Sequence, residues 1–276
     1  MKTLVIAQFT FREALRRRMI WGVLLLSLVF VGVYYFGYTV VRADFSPEGE
    51  ILTFDFVSMI LVGLGFYTIN FLAGVMTIFA AVGTVAGEIE SGTFQAIVPK
   101  PLARWELILG KFLGFAGMIA VYIALMAGAV LATARRVGDY TPANWPLAIG
   151  LVILVSLILL ALTIFGSTVL QTMANGVVVF MLYGGALLGG LLEQLGGILQ
   201  ISSLVNAGIV TSLFLPSDVI WRLASSVLQP SSNIRLDSPI PIAAAQAPSD
   251  AMVTYAVAYI FVLLGLAIFS FRRRDL

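Results

Sequence analysis

The sequence predicts an all-α integral membrane protein. It has six transmembrane helices, an N-terminal amphipathic interfacial helix, and re-entrant or outer short helices before the last span. Three observations predict this. The 276 residues are 60% hydrophobic and only 11% charged, with a mean hydropathy of +1.03. Soluble domains run at roughly 45–50% apolar and about 25% charged residues, so lipid must be the solvent for much of this surface. Secondly, uncharged runs recur at the length a bilayer demands, ~20 helical residues for a hydrocarbon core of ~30 Å. Thirdly, Lys and Arg collect beside alternate ends of those runs, as the positive-inside rule requires.

Residues 1–18 form the first element. Leu4, Ala7, Phe11, Ala14 and Leu15 recur at helical spacing, while Lys2, Gln8, Arg12 and Arg16 lie mostly elsewhere. This pattern predicts a basic helix on the membrane surface, with Phe11, Arg12, Arg16, Arg17 and Arg18 leading into the first span. A tail whose arginines only set topology is the plainer alternative. The first span covers 19–41, too long an apolar run for the core of a cleaved signal peptide. Tyr34, Tyr35 and Tyr38 near its outer end fit an aromatic belt.

Further spans lie near 56–86, 105–134, 147–170, 176–192 and 251–271. The run from Tyr140 to Leu192 has no charge and is too long for one crossing. It must fold back, and Gln171–Gly176 is the polar, Gly-containing place to do so. Ile198–Leu215 is uncharged but carries Gln200, Ser202, Ser203, Asn206, Thr211 and Ser212. That polarity suits a re-entrant or interfacial piece better than a lipid-facing crossing. It belongs to a long outer segment, 193–250. There Pro216 can open a helix, Ser217 or Asp218 can cap it, and Trp221 can sit at the interface. With six spans, eleven of the 16 Lys and Arg fall on the side of the N-terminus, including Arg272, Arg273 and Arg274. Both termini are then cytoplasmic.

Composition also removes chemistry. There is no Cys and no His, so thiolate metal sites, iron–sulfur clusters, a Cys nucleophile and His-ligated haem are excluded. The net charge of +2, with no basic stripe, argues against a nucleic-acid partner. No phosphate-binding loop occurs, since Gly110-Lys111 is followed by Phe112. Counting the third from Phe112, the uncharged runs of the clear spans contain no ionisable residue, and Glu193 sits at the outer end of one. Gly110–Gly114 and Gly185–Gly189 match the G-x-x-x-G spacing of close helix packing, within one subunit or between two. No catalytic, cofactor or metal residue emerges.

One charged island interrupts the apolar runs: GEIESGTFQAIVPKPLARWELILGK, from Gly87 to Lys111. It carries Glu88 and Glu90 at one end, and Lys100 and Arg104 towards the other. Two carboxylates at i and i+2 on a helix point to different faces, so partner contact is a better reading than acid–base catalysis. The island resembles the first cytoplasmic loop of ABC type-2 transporter permeases. The matching residues are Glu88, Glu90, Gly92, Thr93, Pro101 and Arg104, with Ser91 lying between the second glutamate and the glycine. Phe11-Arg-Glu-Ala-Leu-Arg-Arg-Arg18 is similar to the family's surface helix. The subgroup it looks most like includes the permease for maturing the copper site of nitrous oxide reductase.

The resemblance implies a single permease domain over 1–276 and a plasma (inner) membrane location in a bacterium or archaeon. It implies that 87–104 is a coupling loop docking on a cytosolic ABC ATPase subunit, and that a second permease copy completes the transporter. ATP and Mg would then bind the ATPase, with no cofactor on this chain. Outward transport of a substrate is the implied function. An ATP-independent carrier or channel, and a membrane anchor that recruits a cytosolic protein, are the alternatives.

Overall fold

The computed structural model describes residues 2–16, 18–45, 53–87, 103–229 and 251–273. Among the described residues there are nine helices and no strand. They are α1 (Lys2–Arg16), α2 (Arg18–Asp44), α3 (Phe54–Ala81), α4 (Arg104–Gly138), α5 (Trp145–Val169), α6 (Thr172–Leu199), α7 (Ser202–Phe214), α8 (Ser217–Val227) and α9 (Ala251–Arg273). Six of them, α2 to α6 and α9, are long and apolar enough to cross a membrane. The all-α, six-span expectation therefore holds.

Which spans sit inside follows from their side chains. The apolar window of α5 is 61% buried, against 17% for α2. Charge-free and lined with Val, Leu and Ile, α5 touches α3, α4, α6, α8 and α9. It is the bundle's axis. On the periphery, α2 turns Leu25, Leu28, Val33 and Phe36 outward, as lipid allows. A Ser27 Oγ–Tyr122 Oη hydrogen bond of 2.6 Å ties α2 to α4. The 35 residues of α4 span about 52 Å at ~1.5 Å per residue, so it projects beyond a ~30 Å core.

The bundle has two ends. One carries α1, the end of α3 and the start of α4. There α1 lies along α4, and two glycines make this possible. A Cβ on Gly110 would fall 2.7 Å from Ile6 Cβ, and one on Gly114 would fall 2.6 Å from the Ala7 carbonyl oxygen. Real Cβ atoms do not approach so closely, so this G-x-x-x-G seam packs α4 against its own chain's α1. Thr10 and Ala14 are buried there and Phe11 is partly buried, while Leu4, Phe9 and Arg12 are exposed. The apolar stripe expected of residues 1–18 is thus divided: Ala14 packs inward and Leu4 points out.

The opposite end holds the α6–α7–α8 unit. The last turn of α6 closes with Gln200 in the left-handed region (φ 56°), its N–H bonded to the Gly196 carbonyl. From there α7 runs back along α6. A Cβ on Gly208 would fall 2.7 Å from the Gly189 carbonyl oxygen, so the two backbones touch. Tyr255 and Tyr259 of α9 donate hydrogen bonds to the Leu213 and Phe214 carbonyls at 2.6 and 2.9 Å, capping α7. At Leu215-Pro216 the chain turns by 104° into α8, since proline cannot continue the hydrogen-bond ladder. Together α7 and α8 form a bent pair, a broken span or a re-entrant element. Pro216, rather than Ser217 or Asp218, holds the N-cap position, with no side-chain cap.

Candidate functional site

Most of the charged island, 88–102, lies outside the described residues, and with it Glu88, Glu90, Ser91, Gly92, Thr93 and Pro101. Arg17 lies outside them too; Arg16 ends α1 and Arg18 begins α2. Arg104 is described. What the structure places are the two roots of the island, and they are held by different sets of helices.

The entry root is the end of α3. After Ala81 the helix gives way to a turn through Val82–Val85. A helix C-terminus leaves its last carbonyls without partners in the helix, and here two polar side chains reach the C-cap carbonyl of Val82 and the Thr84 carbonyl in the turn beyond it. Asn175 of α6 donates Nδ2–H to the Val82 carbonyl at 2.8 Å and to the Thr163 carbonyl of α5 at 3.0 Å. Lys111 of α4 donates Nζ–H to the Thr84 carbonyl at 2.5 Å. Both side chains are buried, Asn175 fully and Lys111 to 6% exposure. A buried ammonium is costly unless it is bonded. Here the negative end of the α3 dipole faces it, so a cation at this spot stabilises the helix it caps. Room for Asn175 comes from Gly166, where any Cβ would collide with the Asn175 carboxamide. The polar turn expected at Gln171–Gly176 is therefore only partly solvent-facing, with Asn175 turned inward as a clamp.

The exit root is the first turn of α4. Ala103 is its N-cap, and the Ala103 N–H donates to the Glu106 carboxylate at 3.2 Å, which satisfies one of the first-turn donors. Arg104 points towards α9. Its Nη1 donates to the carbonyls of Phe271 at 2.8 Å and Arg272 at 3.0 Å. Its guanidinium carbon lies 5.6 Å from the Phe271 ring centroid, within range for a cation–π contact. A positive side chain on the last carbonyls of α9 is the favourable sense of the helix dipole. Arg104 and Lys111 stand seven residues apart, two turns along one face of α4. That face thus binds the C-terminal ends of two other helices.

The opposite end contains a second charged constellation, unforeseen from the sequence. Arg222 Nη2 donates to Glu193 Oε2 at 2.7 Å. Arg222 Nε lies 3.0 Å from Asp218 Oδ2, close enough for charge pairing but misaligned as a hydrogen bond. Asp218 and Arg222 are buried at 6% and 7% exposure. Gly190 provides the space for the Asp218 carboxylate, which fills the position its Cβ would take.

This corrects one expectation. The outer-segment helix is not at the rim: α8 is buried from Ser217 to Ser225 among α3, α5, α6, α7 and α9. Trp221, expected at the interface, is 3% exposed and stacks edge-on against Tyr67 near the middle of α3, with centroids 5.8 Å apart. The α6 helix continues through Glu193 to Leu199, which brings that carboxylate to Arg222. The i, i+4 spacing of Asp218 and Arg222 was the available signal. Their burial was not.

Among the described residues no group of three or more Asp and Glu is placed to hold a metal ion. No curated protein matches the chain. Residues 4–276 match the family described as ABC-2 family transporter protein. With six apolar helices and a charged island rooted between the third and fourth helices, the chain belongs to the ABC-2 transporter family.

Proposed function

We propose that this chain is the permease of an ATP-binding cassette exporter and that residues 87–104 couple it to a separate cytosolic ATPase subunit. Family membership makes it a membrane permease component of an ABC transporter; the coupling and the outward direction are our reading. The observation that supports coupling is the rooting of segment 88–102. Its entry is bonded to α4, and through Asn175 to α5 and α6, while its exit is bonded to α9. A push on that segment would reach the bundle through several helices at once. ATP binding can shift the bundle only through contacts that differ between the two ATPase states, and this is where such contacts would act.

In this reading Glu88 and Glu90 meet basic groups on the ATPase. Ser91, Gly92, Thr93 and Pro101 belong to the same contact surface. ATP and Mg bind the ATPase and not this chain. A second copy of the permease completes the pathway. The excess of Lys and Arg beside the N-terminal ends of α2 and α4 and the C-terminal end of α9 supports cytoplasmic termini, and the reading takes the membrane to be a bacterial or archaeal plasma membrane. The exposed Leu4, Val5 and Phe9 of α1 then face lipid at the inner surface.

The test is the double charge reversal Glu88→Lys with Glu90→Lys. The chain should still insert, yet lose both co-purification with the ATPase and stimulation of its ATP hydrolysis. Full stimulation by the double variant would end the docking role of these residues. Transport into vesicles by this chain alone would favour the ATP-independent carrier instead.

A further inference from the structure

We infer that Arg104 is a positioning residue that locks the start of α4 to the end of α9, so that the two helices move as one body when the adjoining segment is displaced. The inference rests on the permease reading above, but it assigns Arg104 away from the ATPase surface where the sequence pattern puts it. Three observations carry it. One guanidinium nitrogen reaches two successive carbonyls, Phe271 at 2.8 Å and Arg272 at 3.0 Å. The guanidinium also lies over the ring of Phe271, which is itself 1% exposed and so fixed by packing. Finally, Arg104 is the first residue of α4, only two residues beyond segment 88–102.

A side chain so engaged is a poor docking group, because a partner would have to break charge-assisted bonds before making its own. It is a good strut. The Arg104 fork is planar and presents several donors, whereas a lysine would offer a single compact charge and no stacking face. The C-terminal carbonyls of α9 have no partners within their helix, so the strut completes α9 as well as steering it.

The absence of Cys from the chain permits a direct test in the full complex with the ATPase. Cysteines are introduced at Trp105→Cys and Arg272→Cys, both exposed positions, and joined by a short bifunctional thiol reagent. The uncross-linked double variant is the reference. If α4 and α9 move together, the cross-link forms within one chain with and without ATP, and the joined complex keeps its ATP hydrolysis rate. If joining them arrests hydrolysis, the helices separate during the cycle and the inference falls.

In parallel, Arg104→Gln should still co-purify with the ATPase while its stimulation of ATP hydrolysis drops about tenfold, the scale of losing a hydrogen bond made by a charged group. Arg104→Lys should retain an intermediate level, and the 105–272 cross-link should restore Arg104→Gln. Loss of co-purification in an inserted Arg104→Gln chain would make Arg104 a docking residue and overturn the strut. If the unaltered chain neither binds nor stimulates an ATPase, the proposed function fails first.

Discussion

At the α1 end, cationic and amide side chains meet backbone carbonyls; at the opposite end, a guanidinium meets two carboxylates. The contrast decides how each end responds to force. Carbonyl caps are bonds between a full charge and a partial one, with neighbouring carbonyls offering alternative acceptors along the same helix end. Arg104 already divides its donors between two of them. Where a side chain caps the end of α3, as Lys111 does at the Thr84 carbonyl, the contact can shift by one residue at low cost, whereas Arg104, bonded to two carbonyls and laid on the Phe271 ring, holds α4 to α9. The Glu193–Arg222–Asp218 cluster has no such latitude, because moving Arg222 out leaves two carboxylates uncompensated in a buried place. At the α1 end the cap on α3 can yield gradually, while the cluster at the opposite end holds or breaks as a whole.

The sharpest way to break the comparison is Arg222→Met. Removing the one base from between two acids should cost about 3–5 kcal/mol, seen as a collapse in the melting temperature of the detergent-purified protein. Adding Glu193→Gln and Asp218→Asn should recover most of the loss. A single variant that melts like the parent would mean that water reaches the cluster.

A smaller effect is expected at the α1 seam. Gly114→Leu would press against the Ala7 backbone and cost about 1–3 kcal/mol of overpacking. Faster tryptic cleavage after Arg12 would report α1 lifting from α4. Gly117→Leu is the control, because no atom lies within 4 Å of a Cβ there.

The smallest change should come from Lys111→Gln, which keeps a donor near the Thr84 carbonyl while removing the charge, about 1 kcal/mol. Hydrogen exchange of the amides at 82–87 should rise, with the melting temperature nearly unchanged. A fall as large as that of Arg222→Met would erase the distinction between the two ends.

The spans were legible because an uncharged run of membrane length has few alternatives, and α5 is the plainest case. The close packing at Gly110 and Gly114 was legible in kind, since small residues at that spacing meet a backbone. The partner was not, because Ile6 and Ala7 lie a hundred residues away in sequence and nothing local names them. Asn175 reads locally as a turn residue; only the fold brings Val82 and Thr163 to it. Trp221 and Asp218 misled for a related reason. A short helix with charged residues has the composition of a surface piece, and its burial depends on a cavity shaped by Gly190, Tyr67 and α5. Arg104 was picked out as a functional position, but the family pattern alone gives no view of the end of α9.

The order in which the cluster's members are made has a consequence for biogenesis. Glu193 is synthesised first, towards the end of α6, and its side chain keeps 23% exposure even in the finished fold. Its counter-charge arrives 29 residues later. Asp218 and Arg222 emerge together on one helical turn, so α8 can leave the insertion machinery already half neutralised. It then seats against α6, and the late arrival of α9, whose Tyr255 and Tyr259 fasten the end of α7, closes the structure over it. A chain that ends between 193 and 222 would therefore carry Glu193 without the guanidinium that pairs with it in the finished fold.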